Sequence, residues 1–298
     1  MPRIGRILSI IFLLTVAVPF CAQAPYRAQI EKWRQSREAS LTRDGGWLSV
    51  AGLFWLKEGE NTAGTAPSNR IVLPRGSAPA RVGAFVFHGG KTLFRAEPGA
   101  GVTSGGKPVQ SLEMHPDVPG PANFIAIGGL SMQVIKRGSR YGIRLRDSNS
   151  RFRREFKGLH WFPVAEAWRI RARFVPYYPA KKIAVPNILG DTDQELSPGY
   201  ASFQIDGKEH RLDPIGEGNQ LFFIFRDQTS GKETYPAGRF LYADGPRNGH
   251  VVLDFNTAYN PPCAFTPYAT CPLPPAQNRL AVRIPAGELT HHPAAPRK

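Results

Sequence analysis

Motifs of the common enzyme classes are missing from this sequence. It contains no G-x-S-x-G nucleophile elbow, no HExxH zinc motif and neither of the glycine-rich loops that bind nucleotide phosphates. Ser104 and Lys107 match S-x-x-K by letter, but the two glycines between them indicate a loop tip, whereas that chemistry needs a helix. These absences disfavour a conventional zinc or nucleotide enzyme, and no cofactor is predicted.

Long apolar runs are also scarce, and the clearest one lies at the N-terminus. Residues 1–24 start with Arg3 and Arg6, continue with the apolar run Ile7 to Phe20, and end in Ala22-Gln23-Ala24. These are the three parts of a cleavable signal peptide. The run is shorter than the roughly 20 residues of a comfortable membrane span. We therefore expect an exported protein, periplasmic or secreted, with no transmembrane span after cleavage; a lipid anchor at Cys21 and an uncleaved N-terminal anchor are the alternatives.

Cysteine is the third scarcity. Of three cysteines, cleavage of the signal would leave Cys263 and Cys271, eight positions apart. In an oxidising compartment such a pair favours a disulfide. A loop that short would contribute less than the roughly 3 kcal/mol expected for a loop of about 15 residues, so the bond would brace the loop locally. A metal pair, for which no CxxC or nearby histidine completes a zinc set, and a reactive thiol are the alternatives.

The residues that are abundant favour β structure. Thirty glycines and 28 prolines separate short runs of valine, isoleucine, phenylalanine and tyrosine. We predict a mainly β protein with one N-terminal helix over Tyr26 to Leu41, which would pack across the domain. The predicted organisation is a signal peptide (1–24), a helical arm (25–44), a β-sandwich-like half (45–175), an antiparallel β half that ends in a disulfide-braced Asn/Pro/Cys loop (176–290), and a flexible tail (291–298).

The net charge of +15 is concentrated in one block: residues 136–182 hold 14 Lys and Arg but only three Asp and Glu. Within it, Trp168 to Phe174 alternates apolar residues with Arg169, Arg171 and Arg173, which places the arginines on one strand face. Arg144 and Arg146 repeat this alternation. If the two strands are neighbours, the five arginines form a continuous basic face. Such a face is either a solvated surface or a surface for an anionic envelope polymer; nucleic acid is disfavoured, because export removes it.

The second half contains a hairpin and two strongly apolar strands. Asp206-Gly207 predicts a two-residue hairpin turn, and Leu221 to Phe225 and Val251 to Phe255 predict buried strands. Polar residues follow each apolar strand. If the two strands pair in the same direction, both polar sets emerge at the same end.

These polar sets form the predicted site. Asp254 and Glu288 are the candidate acid/base residues, and the same carboxylate and amide groups could ligate a hard cation. The alternative is a structural role, in which Asn and Asp fix turns and Arg239 pairs with a carboxylate. The predicted ligand-binding residues are Asp227, Thr229, Ser230, Tyr235, Arg239, Asn256, Tyr259, Asn260 and Asn278.

Three hypotheses follow from this pattern. The first is an envelope protein that binds a small polar or glycan ligand in a pocket formed by residues 227–239 and 254–288. The second is a hydrolase that uses Asp254 or Glu288. The third is an envelope protein that docks on an anionic polymer through the basic face.

Four motifs carry a resemblance to a known family. They are GGWLSVAGLFWLKEGENTAG (45–64), IRLRDSNSRFRREFKGLHWFP (143–163), FRDQTSGKETYPAGRFL (225–241), and the stretch DFNTAYNPPCAFTPYATCPLPPAQNRL followed by IPAGE (254–288). With these motifs the chain resembles the uncharacterised family DUF1684 over nearly the whole mature chain. The resemblance implies no activity and no catalytic residue, but it supports treating the C-terminal half as one unit.

A second resemblance concerns architecture only. The segment GLFWLKEGENTAGTAPSNRIVLP, followed by strand pairs, is similar to the opening of a forkhead-associated domain. The arginine and Ser-x-x-His loop that bind phosphothreonine in such domains are not evident, so phosphopeptide binding is not implied.

Overall fold

A computed structural model describes residues 26–217 and 219–291. The predicted signal peptide, with Cys21, and all of the predicted tail except His291 lie outside the described residues. No helix in the described part of the chain is long and apolar enough to cross a membrane.

The N-terminal helix is confirmed. Helix α1 spans Tyr26–Thr42 and buries Ile30, Arg34 and Leu41. Its aromatic and basic side chains meet the second half of the chain: the ring of Trp33 lies 5.7 Å from that of Trp161, and the Arg34 guanidinium lies 4.9 Å from the same ring. The helix is thus anchored on one face along its length.

The first half forms two sheets around one core. The six-stranded sheet has the order β1-β11-β10-β9-β6-β7 and the five-stranded sheet the order β3-β2-β4-β5-β8. Apart from the parallel pair β2 and β3, their pairings are antiparallel. Buried residues such as Phe85, Phe94 and Ile125 fill the space between them. The strands are β1 (Val50–Trp55), β2 (Gly59–Gly64), β3 (Ile71–Val72), β4 (Gly83–His88), β5 (Lys91–Ala96), β6 (Thr103–Ser104), β7 (Lys107–Pro108), β8 (Ser111–Met114), β9 (Phe124–Ile127), β10 (Leu130–Arg137) and β11 (Arg140–Asp147).

The second half follows a short helix, α2 (Arg151–Arg154), and also has two sheets. The four-stranded sheet has the order β14-β13-β12-β18 and the three-stranded sheet the order β15-β16-β17, all antiparallel. Phe203, Phe223, Phe225 and Phe255 belong to the buried core of this half. The strands are β12 (Arg169–Pro186), β13 (Thr192–Ile205), β14 (Lys208–Leu212), β15 (Ile215–Glu217), β16 (Gln220–Phe225), β17 (Arg239–Asp244) and β18 (His250–Asp254).

The fold class is as predicted: mainly β, with a helix at the N-terminus and several antiparallel sheets. The hairpin at Asp206-Gly207 joins β13 to β14, with positive φ values of 51° and 71° at its two turn residues. Such values match the turn that the Asp-Gly pair favours. The predicted division between residues 175 and 176 falls inside β12, whose two parts are separated by a register shift between Pro176 and Lys181.

The condition for a continuous basic face, that β11 and β12 are neighbouring strands, is not met. Arg169, Arg171 and Arg173 do lie exposed on β12, but Arg144 and Arg146 lie on β11, which belongs to another sheet. Arg144 is buried, with its guanidinium 5.2 Å from the ring of Trp47, and Arg146 donates to Gln133. Burial lowers the pKa of Arg144 to about 10. The repeated alternation did not reveal that the two strands belong to different sheets.

The two apolar strands do not pair with each other, so the condition for the two polar sets to emerge at the same end of a sheet is not met. β16 lies in the middle of the three-stranded sheet, whereas β18 is an edge strand of the four-stranded sheet. Their C-terminal ends nevertheless meet, because the rings of Phe225 and Phe255 pack edge to face at 5.5 Å. The two polar sets therefore start close together.

Candidate functional site

Asp227 and Arg239 form a fully buried ion pair that binds the backbone of Ile284 and Ala286. Arg239 Nη2 lies 3.3 Å from Asp227 Oδ1 and donates to the Ile284 carbonyl at 3.1 Å, while Nη1 donates to the Ala286 carbonyl. The Ile284 N–H donates to Asp227 Oδ2 at 2.7 Å. Burial lowers the pKa of Arg239, and the Asp227 carboxylate opposes that shift. Both side chains thus serve as backbone clamps with no room for a ligand between them.

The turn after Asp227 is held by the same carboxylate. Thr229 donates to Asp227 Oδ1 at 2.7 Å and lies 2.8 Å from the Thr234 hydroxyl. Ser230 donates to the same carboxylate oxygen at 3.4 Å. These hydrogen bonds lie within the turn and stabilise its conformation.

Two of the predicted asparagines are also clamps. Asn278 accepts from the Asp213 N–H at 2.8 Å and donates to the Asp213 and Ile224 carbonyls. Asn256 accepts from the Ala165 N–H at 3.0 Å and donates to the Ala165 carbonyl at 2.9 Å. Each asparagine therefore ties together two distant segments, which explains its burial.

Glu288, Asn260 and Arg37 form a third buried group. Arg37 reaches from α1 to within 3.4 Å of Glu288 Oε2, donates to the Asn260 carbonyl at 2.9 Å, and lies 4.5 Å from the centre of the Tyr259 ring. Burial raises the pKa of Glu288 to about 7, although the Arg37 charge opposes that shift. Among the described residues, Glu288 Oε1 and Asn260 Oδ1 have no hydrogen-bond partner. No described cavity is lined by either side chain.

Asp254 is placed differently, at the wall of an open cavity. Both of its carboxylate oxygens accept from the Tyr26 hydroxyl, at 2.7 and 2.8 Å, and Arg169 Nε lies 3.9 Å away. The carboxylate also raises the pKa of Tyr26, after the larger effect of burial. The N-terminal helix thus holds one wall of this cavity.

We call this the arginine cavity. It has a volume of about 480 Å³ and lies where β18 and β12 meet β17 and the turn that follows it. Arg171 and Arg247 have no carboxylate within salt-bridge distance in the described part of the chain. His250 Nδ1 lies 3.1 Å from Arg171 Nη2. The polar residues that line the arginine cavity are Arg169, Arg171, Gln220, Tyr242, Asp244, Arg247, His250 and Asp254.

The predicted disulfide is not present. Cys263 and Cys271 are free thiols, and the two cysteines approach each other to 3.3 Å. The Cys263 N–H donates to Cys271 Sγ at 3.2 Å. Hydrogen bonding between the thiols lowers the pKa of Cys263 and raises that of Cys271. The Tyr235 hydroxyl donates to the Cys263 carbonyl at 3.1 Å. In the described part of the chain, no group of three or more His, Cys, Asp or Glu is placed to hold a metal ion.

The eleven predicted site residues therefore do not converge on one cavity. Of the eleven, Asp254 alone lines the arginine cavity, and Tyr235 lines a second cavity of about 340 Å³ together with Thr234 and Thr290. Gln220, Arg247 and His250 were missed. No local sequence pattern distinguishes them, because they converge only where the two sheets of the second half meet.

Comparison with known proteins gives a family for part of the chain. The model of the family described as a protein of unknown function (DUF1684) matches residues 154–289. The match therefore covers a shorter part of the chain than the motifs predicted, and the motif at 45–64 lies outside the matched residues. No curated protein matches the chain.

Solved structures that are similar in part include the following two. An uncharacterised protein of Haloarcula marismortui is 32% identical over 46% of this chain and 79% of that chain, with a TM-score of 0.39. A structure from work on phosphothreonine-dependent FHA domain interactions is 19% identical over 32% of this chain and 92% of that chain, with a TM-score of 0.23.

Proposed function

We propose that this protein is an exported binding protein that takes a small anionic ligand, such as an acidic sugar or a sugar phosphate, in the arginine cavity. The observation that carries the proposal is the convergence of three arginines and a histidine on one open cavity with two aspartates. The proposal keeps the expected class of ligand, a small polar molecule or glycan, and moves its place from residues 227–239 and 254–288 to the meeting of β12, β17 and β18.

The charges of the cavity favour an anion. Asp254 is already satisfied by the Tyr26 hydroxyl and has Arg169 nearby. Arg171 and Arg247 lack a carboxylate partner among the described side chains, so their guanidiniums are available to a phosphate or carboxylate. Since these groups sit at a concave wall, the ligand exchanges water for several charged hydrogen bonds at once.

The size of the cavity favours a small molecule. About 480 Å³ falls within the range of roughly 300–1,000 Å³ that small-molecule sites occupy. Gln220 and Asp244 add a neutral and an acidic acceptor to the lining of the cavity, which suit the hydroxyl groups of a sugar.

Calorimetric titration with glucose 6-phosphate, galacturonate and glucose tests this proposal. At least one anion should bind saturably, and glucose should bind much more weakly. Arg171→Gln or Arg247→Gln should weaken binding of that anion about 10- to 100-fold, because a hydrogen bond to a charged group contributes about 1.5–3 kcal/mol. Arg173→Gln is the matched control, since Arg173 is exposed on the same strand but does not line the cavity. Equal loss in the control, or no binding of either anion, contradicts the proposal.

A hydrolase that uses Asp254 is the second candidate. The observation that favours it is that Asp254, unlike Glu288, has access to a cavity. Any hydrolytic turnover should disappear in Asp254→Asn while anion binding persists, and turnover that survives this change excludes Asp254 as the acid/base residue.

A further inference from the structure

A bulge in β12 carries an exposed aromatic residue that the arginine cavity does not involve. The register of β12 and β13 shifts between Pro176 and Lys181, so Tyr177 to Ala180 bulge out of the ladder. Tyr178, in this bulge, is 90% exposed, and Leu196, on the facing strand, is 55% exposed. Single exposed apolar residues are ordinary on protein surfaces. Tyr178 and Leu196 differ from such scattered residues because exposed cations surround them.

The base of the bulge is well anchored. The rings of Tyr177 and Tyr200 lie 5.7 Å apart, and the Tyr177 hydroxyl donates to Asp213 Oδ2 at 3.4 Å. Lys181 Nζ lies 5.6 Å from the centre of the Tyr177 ring, and the Arg211 guanidinium lies 5.5 Å from the Tyr200 ring. The bulge is thus held by an aromatic pair with a cation on each ring. Tyr178 projects from this base into solvent.

The cations around the bulge make no salt bridge in the described part of the chain. Lys181, Lys182 and Arg211 are exposed, and none has a carboxylate within salt-bridge distance in the described part of the chain. Lys182 is paired with Leu196 across the strands, so a cation and an apolar side chain share one face. The neighbouring Glu195 is paired with the buried Ile183 and projects to the face opposite Lys182 and Leu196. By the same alternation Lys181 leaves its strand on the face of Glu195, but its ammonium reaches to 5.6 Å from the centre of the Tyr177 ring.

We infer that this surface, consisting of Tyr178, Leu196, Lys181, Lys182 and Arg211, docks the protein on a bilayer that contains acidic phospholipid. Lysine and arginine side chains near such a bilayer are attracted by its negative surface potential. Tyrosine, with an apolar ring and a polar hydroxyl, is enriched at the headgroup level of membranes. The ring of Tyr178, exposed in the bulge, can insert between headgroups.

Vesicle co-sedimentation tests the inference. The protein should pellet with phosphatidylcholine vesicles that contain phosphatidylglycerol and not with phosphatidylcholine alone. Binding should be lost as the salt concentration approaches about 1 M, where the screening length falls to about 3 Å. Lys181→Gln/Lys182→Gln should lower the partition coefficient at least tenfold, on the basis of two lost charges. Tyr178→Ala should lower it severalfold.

Control variants separate this surface from unspecific attraction. Lys91→Gln/Lys107→Gln removes two exposed lysines of the first half, and Phe124→Ala removes an aromatic side chain that is 43% exposed elsewhere. Both should bind vesicles as the wild type does. So should Arg247→Gln, which makes a failure of this inference distinguishable from a failure of the ligand proposal.

Three results would overturn the inference: equal pelleting with neutral and acidic vesicles, salt-insensitive binding, or wild-type binding by both the lysine and the tyrosine variants. Analytical ultracentrifugation without vesicles tests whether a second copy of the chain, instead of a membrane, binds to this surface. If Tyr178→Ala converts a dimer to a monomer and leaves vesicle binding unchanged, the surface is a protein interface and not a membrane contact.

Discussion

At the scale of single residues, Glu288 shows how burial changes chemistry. Its carboxyl group is fully buried, and Arg37 is its one cationic neighbour within salt-bridge distance in the described part of the chain. Burial favours the neutral acid and raises its pKa from 4.5 to about 7. Because the side chain is fully buried and burial is the largest cause of the shift, the raised pKa follows from packing. A perturbed pKa alone would have suggested catalysis.

This residue predicts a pH dependence of stability. The folded state binds the Glu288 proton more tightly than the unfolded state does. The stabilisation that the protonated carboxyl gives the folded state is therefore fully present below pH 4.5. As the pH rises from about 4.5 to about 7, the free energy of unfolding should fall by roughly 3 kcal/mol on account of this group. Urea denaturation of the wild type and of Glu288→Gln across that range measures it.

The comparison with Glu288→Gln isolates the effect from other titrating groups. The difference in the free energy of unfolding between the two proteins should change with pH in the stated direction. A difference that is constant from pH 4.5 to 7 would show that the Glu288 carboxyl titrates alike in the folded and unfolded states.

At the scale of elements, the loop from Asp254 to Leu280 is ordered without a covalent brace. Asn256, Asn260 and Asn278 bond to backbone groups of distant segments, and Thr266 donates to the Val50 carbonyl at 3.0 Å. The proline-rich sequence forms short 3-10 turns within this loop. The order of the loop thus follows from side-chain bonds to its surroundings, and the cysteines add one contact among many.

The segment after this loop depends on one glycine. Gly287 has a φ of +83°, and a Cβ atom added to it would lie 2.4 Å from the Ala258 carbonyl oxygen. Gly287→Ala should therefore lower the free energy of unfolding by more than about 2 kcal/mol, the upper end of the usual cost of the left-handed conformation. Thermal or urea unfolding measures the loss.

Gly190→Ala provides the matched control. Gly190 has a φ of +86°, but a Cβ atom there would meet nothing within 4 Å. Its substitution should cost only the conformational strain of about 1–2 kcal/mol. If the two variants lose equal stability, the close approach at Ala258 is not the cause.

At the scale of the whole molecule, the two halves are joined by specific contacts. Arg137 pairs with Asp117 in the first half and donates to Thr270 in the second at 2.8 Å, and Arg140 pairs with Asp191. Leu48 packs in one cluster with Phe265. These bonds cross from the sheets of the first half to the sheets and loop of the second half.

These contacts predict cooperative unfolding. Peptides from β10 and β16 should report the same free energy of opening in native-state hydrogen exchange. Leu48→Ala should lower both values equally, by about 2–5 kcal/mol. If protection falls in β10 alone, or if the two strands already differ in the wild type, the halves open independently.

Much of the fold could be predicted from local patterns. The helix at Tyr26, the strand Leu221 to Phe225 and the Asp206-Gly207 turn follow from periodicity and turn chemistry, and each occurs in the structure. The short strand β8 and the strand β2, which contains Gly59 and Asn61, were not predicted. Their residues have weak strand propensity, and pairing with neighbouring strands decides their conformation.

The sequence alone determined the fold class, the N-terminal helix and the alternation that exposes Arg169, Arg171 and Arg173, because each depends on residues close together in the chain. The tertiary structure decided which strands are neighbours. It therefore buried Arg144, used Asp227, Arg239 and the asparagines as clamps, and brought Arg247 and His250 to Asp254. Burial and long-range contact depend on how sheets pack, and no local pattern encodes that packing.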